Sequence, residues 1–180
     1  MPEFNENDHP RGHVTGRTRF AERTHSEPDA VLTDTELTID AAREQLRIAS
    51  DEAGLGGIMP PVFDVIFDRE VISPQALARL DYSAINDLYE SEIAPGIDQV
   101  EEKAQWLGLD DYTELADPTE HIQKISDEAG LGGIMPEVFG VLMDRENVSY
   151  GQLHQMTADH VTALYEVFEP SIDCAIRQLQ

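Results

Sequence analysis

The sequence predicts an all-α protein: a tandem duplication of a helical unit of about 70 residues, its copies packed with pseudo-two-fold symmetry, behind an extended N-terminal arm. Three observations carry that reading. Ser50–Glu70 reads SDEAGLGGIMPPVFDVIFDRE, and Ser126–Glu146, 76 residues further on, reads SDEAGLGGIMPEVFGVLMDRE, identical at 17 of 21 positions. Apolar residues elsewhere recur at helical spacing, and few segments alternate for long enough to make a strand. Helix start and stop residues fall at the ends of the periodic stretches. The expected organisation is an arm over 1–33, repeat A over 34–107 and repeat B over 108–180. A and B are expected to form one body, because a lone unit of this size has a marginal core and a second copy removes more apolar surface from water.

The arm has no sustained period. It carries four of the twelve basic residues, Arg11, Arg17, Arg19 and Arg23, and three of the six histidines. Pro10 and Gly12 between His9 and His13 discourage the helix that would align the two imidazoles, so a metal site is not expected there. The arginines are locally positive on a negative chain, which suits docking on an acidic protein surface.

In repeat A, Ile39, Ala42, Leu46, Ala49 and Ala53 predict a first helix from Ile39 to about Ala53. Gly54 ends it in a left-handed conformation, with Leu55 folding back as in a Schellman cap. Pro60 opens a second helix running to Asp68, apolar on nearly every face and therefore buried. Ser73-Pro74 starts a short helix through Leu80, Asp81 or Ser83 caps a fourth, and Pro95 opens a fifth that ends near Trp106. Asp110 or Asp111 caps a short helix at Tyr112–Ala116, after which the pattern repeats. Gln75-Ala76-Leu77 aligns with Gly151-Gln152-Leu153, Leu80 with Met156, and Leu88-Tyr89-Glu90 with Leu164-Tyr165-Glu166. A one-residue slip then matches Pro95-Gly96-Ile97-Asp98 to Pro170-Ser171-Ile172-Asp173.

The charge is extreme, with 36 Asp+Glu against 12 Lys+Arg and a formal net charge of −24. Only Lys103 and Lys124 are lysines. At molar salt screening shrinks to roughly 3 Å, so such self-repulsion costs little, and the balance points to a halophilic organism or its virus. An acidic mimic of a nucleic-acid backbone is the competing reading of the same charge. Direct nucleic-acid binding needs a basic footprint that repeats A and B lack. One cysteine, Cys174, fits a reducing interior without an internal disulfide. No apolar run approaches the ~20 residues of a membrane span. The expected localisation is cytoplasmic, or the virion if the protein is virus-encoded.

The chemical motifs are weak. Gly54-Leu55-Gly56-Gly57 follows a helix where a dinucleotide loop needs a strand, and Ile58-Met59-Pro60 stands where a Walker loop has Lys-Ser/Thr. Asp51 and Gly56 fit the first and sixth positions of an EF-hand loop, but Ala53, Leu55 and Val62, and their repeats Ala129, Leu131 and Val138, offer no oxygen. Asp68-Arg69-Glu70 and Asp144-Arg145-Glu146 read as ion-pair networks fixing the next turn. No nucleophile–base–orienter set can be assembled, so the expectation is a non-enzymatic protein without metal or cofactor. The expected function is structural: an assembly or protein-interaction protein working in high salt, with a partner protein or self-assembly. The alternative is a small-ligand-binding or regulatory protein with its site between the repeats. The two GLGGIMP segments are expected to approach each other across the pseudo-two-fold. Their Ile58, Met59, Ile134 and Met135 are also candidates to line an apolar groove for a partner segment.

Overall fold

The computed structural model describes residues 38–111 and 116–180. The arm, with Arg11, Arg17, Arg19 and Arg23, and residues 112–115 of the expected linker helix lie outside the described residues.

Helix α1, Ile39–Glu52, starts at Thr38, whose side-chain oxygen accepts the Ala41 N–H at 3.2 Å. It ends at Ala53 and Gly54, and α2 follows over Met59–Asp68 with prolines in its first turn. The short α3, Pro74–Leu77, is capped by Ser73, and α4, Tyr82–Leu88, by Asp81. A π-helical turn, Tyr89–Ile93, joins α4 directly to α5, Ala94–Gln105. The second half holds α6, Thr119–Glu128, α7, Met135–Asp144, α8, Tyr150–Gln155, and the long α9, Ala158–Leu179. Capping boxes at Ser149/Gln152 and Thr157/His160 start the last two. Among the described residues the structure is helical and contains no strand.

The fifth helix expected from Pro95 is α5, but it does not begin afresh. α4, the π turn and α5 run on without a break, just as α9 runs through Pro170. The cause is one extra residue: five residues separate Tyr89 from Pro95 and four separate Tyr165 from Pro170. An added residue in an α-helix would rotate everything beyond it by roughly 100° and turn the apolar face outward. The π turn absorbs it, with the Ala94 N–H donating to the Tyr89 carbonyl five residues back. Proline is not what opens the turn, since α9 carries Pro170 without one.

Glu36–Gln180 is one compact unit with one contiguous core. In the first half α1 packs on α2, α3 and α4; in the second α6 packs on α7, α8 and α9. Across the halves α5 meets α7, α9 meets α2, and the most extensive association is α5 with α9. Phe63, Phe139 and Phe168 are among the largest fully buried side chains, and each emptied to Ala would cost about 3–5 kcal/mol. Gly96 of α5 packs directly against α9: a Cβ there would lie 2.7 Å from the Ser171 Cβ and 3.0 Å from the Phe168 ring. These are the positions that the sequence slip aligns, Gly96 with Ser171.

Candidate functional site

Each Gly-rich segment is a Schellman turn followed by a tight loop. The Leu55 N–H donates to the Ser50 carbonyl and the Leu131 N–H to the Ser126 carbonyl, both at 2.8 Å. Gly54 and Gly130 hold φ of 74° and 73°, where only glycine is unstrained. Gly56 and Gly132 each lie under an aspartate carboxylate. A Cβ would stand 2.0 Å from Oδ1 of Asp51 in one loop and 1.8 Å from Oδ1 of Asp127 in the other. The Asp–Gly spacing that resembles a calcium loop is therefore a carboxylate folded back over its own turn. Among the described residues no group of three or more His, Cys, Asp or Glu is placed to hold a metal ion.

The arginines at the ends of α2 and α7 reach across the molecule instead of serving their neighbours Asp68, Glu70, Asp144 and Glu146. Arg69 donates to Asp173, and to Glu169 at 2.9 Å, both on α9. Arg145 donates to Asp98 at 2.7 Å and Glu101 at 3.2 Å, both on α5. Asp98 and Asp173 are aligned residues, so each half sends the same arginine to the same aspartate of the other. Beside these ties the chemistry changes on both sides together. Asn147 donates to Glu101 at 2.8 Å, whereas at the matching place Val71 and Ile176 line one shared recess. Hydrogen bonds to the paired carboxylates, strongest for Asp98, hold the Arg145 guanidinium above its ordinary value, while burial works against it. Burial, opposed by Arg69, pushes the Tyr165 hydroxyl upward.

Two matched clefts are among the recesses between the halves. One, of about 320 Å³, is lined by Gly54, Leu55, Gly57 and Ile58, by Tyr89, and by Glu137, Gly140, Val141 and Asp144 of α7. The other, of about 180 Å³, is lined by Gly130, Leu131, Gly133 and Ile134, by Tyr165, and by Pro61, Asp64, Val65 and Asp68 of α2. Every lining position of the first has its counterpart in the second, 76 residues away. Each Gly loop thus faces the buried helix of the opposite half. The one neighbour that a Cβ at Gly57 would meet is Glu137.

Of the residues expected to contact a partner, Met59 and Met135 are 0% exposed core residues. Ile58 and Ile134 are also buried and form part of the cleft walls. Sequence reasoning missed a stacked pair, His121 and His154, with ring centroids 5.8 Å apart and each Nε2 on a backbone carbonyl, of Met156 and Ala116. It also missed Trp106, which is 79% exposed at the end of α5. Trp106 and Lys103 border a shallow recess of about 400 Å³ with Gln99, Glu102 and Val167 of α9. Neither carries a local signal: the pair needs α6 packed on α8, and Trp106 reads as the last apolar residue of an amphipathic helix. Cys174 is half-buried, with Arg177 donating to its sulfur at 2.9 Å.

No family model matches the chain, and no curated protein or solved structure matches it either.

Proposed function

We propose that this chain is a non-enzymatic assembly or protein-interaction protein working in high salt, made of two copies of one helical unit fused about a pseudo-two-fold axis. The axis is supported by the reciprocal ties Arg69–Asp173 and Arg145–Asp98, by the matched clefts, and by the meeting of Gly96 with its aligned residue Ser171. The net charge of −24 supports work at high salt in a halophile or its virus.

The observation that carries the interaction reading is Trp106. The only tryptophan of the chain stands 79% exposed although the core is contiguous. A large apolar side chain is costly to leave in water, and Trp is enriched among the residues that dominate interfaces. The test is the hydrodynamic mass of the protein in native extract at molar KCl, for the full chain, for the chain lacking Met1–Leu32, and for Trp106→Ala. A species larger than the monomer that is lost in the variants is expected. Identical profiles for all three would refute the reading.

A second reading, a small-ligand or regulatory protein, has one specific observation behind it: the two matched clefts. A ligand there would raise thermal stability with its concentration, and Val141→Trp together with Val65→Trp would remove that gain. No stabilising compound from a broad thermal-shift screen would leave it without support.

A further inference from the structure

We propose that the recess beside Trp106 is a self-recognition surface, and that its occupant is Trp106 of a second copy of this chain. This rests on the interaction reading above and names the partner.

Two copies each carrying −24 repel wherever their acidic surfaces meet. The recess is an exception, because Gln99, Glu102, Lys103, Trp106 and Val167 carry one anion and one cation and sum to zero. Lys103 is one of two lysines, and it forms no ion pair among the described residues, whereas Lys124 lies 3.8 Å from Glu128. An exposed, unpaired ammonium beside an exposed carboxylate is the complement of its own two-fold image. Gln99, Lys103 and Trp106 also lie along one stripe of α5, at spacings of four and three. The stripe therefore supplies a protruding indole and a recess on the same patch.

A two-fold contact requires just this: residue i meets j while j meets i. With α5 of the two copies antiparallel, each Trp106 enters the other's recess against Val167 and Gln99, and each Lys103 meets a partner Glu102. Two indoles bury about 300–500 Å² between them, below the area of a standard specific interface, so the contact is weak and reversible. Salt favours it. The long-range repulsion is screened over roughly 3 Å at 1 M, against 10 Å at 0.1 M.

The single tryptophan makes the test direct. Purified full-length protein is followed by sedimentation and by indole emission over a concentration series in molar KCl. A dimer is expected, its emission shifting to the blue as concentration rises, and Trp106→Ala should be monomeric with an unchanged helical spectrum. Lys103→Glu and Glu102→Lys should each self-associate at least about tenfold more weakly, and an equimolar mixture of the two should recover association. A mixture no better than its components would overturn the proposal, as would a Trp106→Ala protein that still dimerises. A purified chain that stays monomeric with solvated emission, while a Trp106-dependent large species persists in extract, would overturn self-recognition and leave the interaction reading standing. Loss of both would remove both.

Discussion

Gly96 and Gly140 are both glycines inside helices, and their surroundings give them opposite consequences. At Gly140 a Cβ meets nothing within 4 Å, so Gly140→Ala should gain roughly 0.5–1 kcal/mol of helix stability. At Gly96 a Cβ would stand 2.7 Å from the Ser171 Cβ, which is fixed to the α9 backbone. Overpacking there should cost about 1–3 kcal/mol and outweigh the same helical gain. Thermal unfolding of the two variants should move in opposite directions. Tyr165 gives a pH dependence at this scale. Burial raises its pKa, so the neutral hydroxyl is the form the fold favours. Its contribution is whole below the ordinary tyrosine value of about 10 and is lost as pH rises from there through the folded value. Chemical unfolding along an alkaline series should show stability falling, with a shallower fall in Tyr165→Phe. Little of this was legible in sequence. Gly54 and Gly130 announce their left-handed turns, but Gly96 looks like an ordinary weak point in a helix until α9 is placed against it.

At the scale of elements, the caps were readable and the continuity was not. Ser73 and Asp81 sit at N-caps as their side chains demand, and the Schellman turns follow from Gly-Leu after each helix. Pro95 does lie in the first turn of α5, but nothing in its own sequence shows that the helix runs on from α4. The one-residue slip between the repeats was the better guide, since a helix can keep its buried face through an extra residue only by widening one turn. Deleting Glu90, an exposed residue of that turn, should leave the protein folded, with the π turn replaced by α-helix as in α9. Circular dichroism and a melting temperature near that of the parent are expected. A molten or unfolded deletion variant would show that the extra residue is required for the packing of α5. Both halves carry a matching oddity: Glu70 and Glu146 follow α2 and α7 with φ of 52° and 56°, a left-handed conformation that non-glycine residues adopt at a cost of about 1–2 kcal/mol.

At the scale of the molecule, the repeat made an all-helical body with a shared core foreseeable, yet not the way the halves engage. The Gly loops were expected to face each other, whereas each faces α2 or α7 of the opposite half, and α5 with α9 forms the main seam. Sequence could not give this, because identity between copies fixes what each unit looks like and says nothing of which face is left over for the twin. The arginines after α2 and α7 are the exception in hindsight. They recur in both copies without partners at helical spacing inside their own segment, which is what a residue committed to the other half looks like. The ties themselves are partly exposed and add modestly to stability; the buried apolar seam is the larger contribution.

The central claim is that neither half has a finished interior without the other. Amide hydrogen exchange along a denaturant series measures this in the intact chain, residue by residue. Val62 and Ile66 in α2 and Val138 and Leu142 in α7, all 0% exposed, should converge on one opening free energy. If the two sets stay apart by more than about 1 kcal/mol up to the unfolding transition, the halves are separate cooperative units and the account is contradicted.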